Sequence, residues 1–119
     1  MEQVVRSSFK IVSSFTIDER QIPYAGACLF LQNTSPTKTS VISLAESEDG
    51  VIWTVVPFST PTSAGELSLS LLPGCYAAIL FKSTRNYLRI SLDEANPEGV
   101  MATIAGHFAN NPEFAESYS

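Results

Sequence analysis

Asp49-Gly50 lies between two apolar runs, and no other feature limits the fold so closely. Glycine accepts the positive φ of a tight turn, so Asp-Gly between strand-like runs predicts a β-hairpin. The expected arms are residues 40–47 and 51–58, with Trp53, the only Trp, carried into the core. The second arm is apolar on both faces: Val51, Trp53 and Val55 on one, Ile52, Val56 and Phe58 on the other. A sandwich strand needs one apolar face. Ile52, Val56 and Phe58 are therefore candidates for contact with a second layer or a partner protein.

The rest of the chain repeats this grammar. Residues 9–17 alternate apolar and polar, the period of a half-buried strand, and Ser13 interrupts the pattern, so a bulge or a change of partner is expected there. Residues 27–32 form a short buried strand between polar loops. Leu67, Leu69 and Leu71 alternate with Glu66, Ser68 and Ser70. Pro73-Gly74 is a turn, and residues 75–81 follow as a strand buried on both sides. In residues 87–92, Leu88, Ile90 and Leu92 point inward, while Tyr87 and Arg89 point outward as surface-contact candidates. Residues 100–108 supply the last strand, with Val100, Ala102, Ile104 and Phe108 on one face.

No segment carries a convincing helical period. About eight strands with turn signals every ~8–12 residues predict an all-β fold, a single antiparallel β-sandwich of jelly-roll-like form. The domain is expected over residues 9–108, between an N-terminal arm at 1–8 and a C-terminal tail at 109–119. Val4 and Val5 in the arm, and Phe114 and Tyr118 in the tail, are isolated apolar residues suited to docking on a neighbour.

Charge narrows the partners. The net charge is −5, and the seven Lys and Arg residues are scattered, which argues against nucleic acid and against a polybasic membrane patch. No apolar run approaches the ~20 residues of a membrane span. The first residues lack the form of a signal peptide, so use without secretion through a cleaved signal is expected. Charged residues make up only 16% of the chain, against roughly a quarter in ordinary domains. Such a surface suits a chain that lies against other protein.

The residues offer little for chemistry. His107 is the only histidine, so a multi-histidine metal site is excluded. No Gly-x-Ser-x-Gly elbow or Gly-rich phosphate cradle is present. Cys28 and Cys75 lie in apolar runs. Buried free thiols are the ordinary reading and a disulfide between neighbouring strands is the alternative. Glu46, Glu48 and Asp49 make an acidic cluster that reads as a solvated hairpin tip; calcium is its alternative, although the spacing matches no EF-hand loop. Trp53, Tyr76, Tyr87 and Tyr24 are the aromatics that a carbohydrate platform would draw on. Neither an enzyme nor a cofactor is expected.

The order of Glu48-Asp49-Gly50-Val51-Ile52-Trp53, then Leu72-Pro73-Gly74-Cys75-Tyr76, then Tyr87-Leu88-Arg89-Ile90 resembles β-sandwich modules of tailed-bacteriophage virions. Small capsid decoration (cement) proteins and tail-associated proteins are the members in view. "Asp-Gly-x-x-Trp" and "Tyr-Leu-Arg" are also similar to the discoidin-type sandwich. The phage resemblance implies a structural protein without an active site, located on the capsid surface of a virion. It implies a dimer or trimer that binds the major capsid protein or another virion protein and bridges neighbouring subunits. A tail or baseplate component and a carbohydrate-binding module are the other readings.

Overall fold

The computed structural model describes the backbone of residues 3–18, 26–82, 85–108 and 113–117, and the side chains of 8–17, 28–82 and 85–105. In chain order the strands are β1 (Gln3–Ile11), β2 (Ser14–Asp18), β3 (Gly26–Asn33), β4 (Ser40–Ser47), β5 (Thr54–Val55), β6 (Phe58–Ser59), β7 (Leu69–Leu71), β8 (Tyr76–Lys82), β9 (Tyr87–Leu92), β10 (Val100–Phe108) and β11 (Glu113–Ser117). They form two sheets. One has the order β1-β10-β3-β8-β6; the other runs β11-β2-β9-β4-β5, with β7 also on β4. Every strand pairing is antiparallel. The fold is the expected all-β sandwich, built from more and shorter strands than the sequence suggests.

The extra strands arise where the chain crosses between layers. At Val12-Ser13 it leaves β10 in the five-stranded sheet and joins β9 in the six-stranded one, so residues 9–17 are two strands with different partners. A second crossing occurs at Pro57. Val56 still donates its N–H to the Leu44 carbonyl at 2.9 Å. Pro57 has no N–H to continue the ladder, and the next residue, Phe58, pairs with Phe81 in the other sheet. The expected arm over 51–58 is therefore two two-residue strands.

The core is what alternation demands. Leu88, Ile90 and Leu92 of β9 and Val100, Ala102 and Ile104 of β10 are all buried in one core, with Leu29, Ile42, Leu44 and Ile79 among the fully buried side chains. Val56 and Phe58 belong to this interior, 3% and 2% exposed. Their expected role at an outer interface is corrected: pairing across Pro57 turns both inward.

Both chain ends are also corrected on the described backbone. Gln3 to Ile11 pair residue for residue with Phe108 back to Val100, so residues 3–8 are part of a strand and not a separate arm. Val4 lies opposite His107, and Val5 opposite Gly106. Within the tail, β11 pairs with β2, placing Phe114 opposite Ile17. Tyr118 lies outside the described residues. Short apolar alternation was missing from both segments, because pairing there depends on backbone bonds to β10 and β2.

One end of the sandwich is closed by a polar clasp. Asn33 and Asn96 are fully buried. The Asn33 amide donates to the Lys38 and Leu71 carbonyls, and its oxygen accepts from the Ser35 N–H and the Asn96 amide. Asn96 also donates to Ser40 Oγ at 2.9 Å, while its own N–H reaches the Val12 carbonyl. The clasp thus ties β3, the start of β4, and the Val12 crossing together. Burial makes each unpaired amide costly, whereas a fully bonded one fixes the geometry. Asn33→Ala is predicted to lower unfolding free energy by about 2–4 kcal/mol, read from urea denaturation; an unchanged midpoint and slope would refute the clasp.

Candidate functional site

The outer face of the five-stranded sheet is the most distinctive surface. Its rows follow from register: Lys10, Met101, Gln32 and Tyr76 in one, Ser8, Thr103, Phe30 and Ala78 in the next, then Ala105, Cys28 and Leu80. Inner neighbours Leu31, Ile79 and Ile104 take the core positions, so alternation leaves these rows outside. Tyr76 is 75% exposed, Leu80 58% and Phe30 49%. Residues 75–81 were expected to be buried on both sides; the finding is one buried face and one open apolar face. Residues 27–32 are corrected in the same way at Phe30.

Electrostatics sets this face apart. Among its described strand residues there is no carboxylate, although the chain holds 12 Asp and Glu against seven Lys and Arg. Lys10 and Lys82 on this face are exposed, and Arg6 shares the Ala105 row by register. Polar contacts are few: Gln32 Nε2 donates to Tyr76 Oη at 3.1 Å, and the Ser8 and Thr103 hydroxyls bond at 2.8 Å.

The loop after β6 stands beside β8 and makes two open grooves with it. The first, about 650 Å³, is lined by Phe58, Phe81, Leu80, Cys28, Ala105 and Lys82, among others. The second, about 540 Å³, includes Phe30, Tyr76, Pro61 and Leu69. Burial pushes the Cys28 thiol above its ordinary pKa, so it is less nucleophilic than a free thiol. Cys75 is exposed, in the turn rather than in a buried strand, and both thiols are free. In that turn the Cys75 N–H reaches the Leu72 carbonyl at 3.0 Å, with φ +71° at Gly74. Pro followed by a positive-φ Gly is the type II pattern.

The second surface is the loop between β4 and β5. The expected tight hairpin is wider, since pairing begins at Glu46 with Thr54. Side chains take the backbone groups that the ladder would have used. Ser47 Oγ accepts from the Asp49 and Gly50 N–H groups, and Asp49 Oδ1 accepts from Val51 and Ile52 at 2.8 and 3.0 Å. Gly50 takes the positive φ that the sequence required, +77°, with the Tyr87 ring beside it. Val51 and Ile52 end up 77% and 74% exposed. Trp53 is not a core residue. It is half-buried over the outer face of the six-stranded sheet, with the Arg89 guanidinium 4.1 Å from its ring.

Several expected surface residues thus gather here. Ile52 is at the tip, half-buried Tyr87 supports Gly50, and Arg89 holds Trp53. Arg85 lies 3.1 Å from Glu48 and 3.9 Å from Glu46 and so offsets part of the acidic cluster. Among the described residues no His, Cys, Asp and Glu group suited to a metal ion occurs. The His107 side chain and Tyr24 lie outside the described residues.

The chain matches no family model, no curated protein and no solved structure. No helix among the described residues is long and apolar enough to cross a membrane.

The sequence reading missed Phe30, Leu80 and Met101, and named Tyr76 only as a carbohydrate-platform candidate. For Phe30 and Leu80 the signal was present as the surplus of apolar residues in 27–32 and 75–81. Read as double burial, it is in fact one buried and one exposed face.

Asp49 gives a test of the tip. The Ile52 and Val51 N–H groups, then the Ser47 hydroxyl, hold its carboxyl below the ordinary range. A depressed folded-state pKa gives stabilisation that is complete above the unfolded value and is lost as pH falls through the folded one. Amide exchange at Val51 and Ile52 is therefore predicted to stay slow above about pH 4 and to lose protection below it. Asp49→Ala is expected to remove that protection at neutral pH, and unchanged exchange in this variant would contradict the assigned bonds.

Proposed function

We propose that this chain is a structural assembly protein that works by lying against other protein through the outer face of its five-stranded sheet. The observation that carries the reading is the exposure of Phe30, Tyr76 and Met101 on one sheet face whose described strand residues include no carboxylate, in an acidic chain. Large exposed apolar patches mark contact surfaces rather than ordinary solvent faces. Exposed aromatics together with Met also match interface composition.

The specific form we propose is a capsid decoration (cement) protein of a virion, the class that the sequence resembles. The partner would be the major capsid protein or another virion protein, with a tail or baseplate component as the close variant. A β-sandwich with no carboxylate among the described strand residues of one broad face suits repeated placement on a shell. Many modest contacts on a closed lattice then add through effective concentration, without one tight site. The shell surface under the face would be apolar with an acidic group near Lys10.

Cryo-electron microscopy of virions banded from lysates of the source tests this reading. Regular copies of the chain with Phe30 and Tyr76 against the shell are expected. Absence from the particles would overturn the proposal. In reconstitution, Phe30→Asp should weaken binding at least about tenfold. Because Phe30 is already half-exposed, its effect on unfolding free energy should stay within about 1 kcal/mol.

A further inference from the structure

We propose that copies of this chain associate head to tail, with Val51 and Ile52 of one copy seated in the groove lined by Leu80, Cys28 and Lys82 of the next. This rests on the assembly reading above and names one partner within it, a second copy.

The knob is unusual for its order as well as its exposure. Two adjacent aliphatic side chains project at the tip, and their backbone N–H groups are both fixed on Asp49 Oδ1. Ser47 Oγ fixes the two preceding N–H groups and bonds the same carboxylate at 2.9 Å. A flexible tip would lose chain entropy on docking; this one is pre-organised, so more of its burial becomes affinity.

The socket has matching character. Phe58, Phe81, Leu80 and Ala105 make it apolar, and its volume of about 650 Å³ leaves room for the two side chains. Among the described residues, Lys82 is the only charged one lining it. The knob carries the opposite sign, with Glu48 and Asp49 next to Val51. Hydrogen bonds to the backbone keep Asp49 ionised, and Glu48 is shared with Arg85 at 3.1 Å. Half-buried Glu66 follows Gly65 at the rim, outside the lining. Docking therefore brings Lys82 towards an acidic tip while apolar groups meet.

Within one chain the knob is exposed, so it does not fill the chain's own socket. Knob and socket are different surfaces, so their contact is heterologous and its repetition gives a ring or an open string. The Phe30, Tyr76 and Met101 end of the face stays available to a shell.

Oxidative cross-linking tests the pairing. In a Cys75→Ser background, Ile52→Cys is expected to give a disulfide-linked ladder on non-reducing gels, with peptide mapping joining positions 52 and 28 of different copies. The background alone should remain monomeric on the same gel. Sedimentation of the full chain should show concentration-dependent association that Ile52→Asp weakens at least about tenfold. The Ile52→Asp chain should still bind particles through the outer face, which separates this contact from the shell contact. A wild-type monomer at every concentration, links only between two position-52 thiols, or equal association of wild type and Ile52→Asp would each overturn the proposal. Loss of particle binding by wild type would instead count against the assembly reading.

Discussion

Two stacked sheets have one shared interior, and an apolar side chain that does not reach it must stay outside. That constraint shapes this chain. The interior is filled from both layers by residues such as Ile17, Leu44, Ile90, Leu29 and Ile104, none more than 1% exposed. Strands β3, β8 and β10 carry apolar residues at the opposite parity as well, and no third layer of this chain covers them among the described residues. Exposed apolar area of that kind costs roughly 25 cal/mol per Å² relative to burial. Covering it therefore provides a driving force for association.

The sandwich holds this face rigid because its layers are joined by continuous chain. The crossings at Val12-Ser13 and at Pro57 carry one segment directly from sheet to sheet. Beside the first crossing, the Asn33–Asn96 clasp satisfies buried amides from both layers. The outer face is thus carried by paired strands, with the loop after β6 along one side. Partners that meet such a face lose little conformational freedom in the protein itself.

Much of the fold could be read from the sequence, and particular residues show where reading stopped. Alternation placed Leu88, Ile90 and Leu92 inside, and Pro73-Gly74 marked a turn, as observed; of the bulge or change of partner expected at Ser13, the change of partner is found. Local pattern could not show that Pro57 would transfer Val56 and Phe58 into the core from opposite sides of the crossing. Nor could it show that Asp49 would divert the Val51 and Ile52 amides from the ladder. The chain ends were the hardest to read, since β1 and β11 rest on backbone pairing to remote strands. The candidate site was half legible. The Asp49-Gly50 tip was located correctly, with Gly50 at the positive φ the sequence required. The broad face remained hidden because an apolar run such as residues 75–81 reads the same whether its second side is covered or bare.

Hydroxyl-radical footprinting of the free chain and of its native assembly, read by peptide mass spectrometry, tests the central claim most directly. Covering of the outer sheet face predicts that Phe30, Tyr76 and Met101 label readily in the free chain and become strongly protected in the assembly, while exposed side chains away from it, such as Leu67, keep their labelling. Equal labelling of Phe30, Tyr76 and Met101 in both states would contradict it.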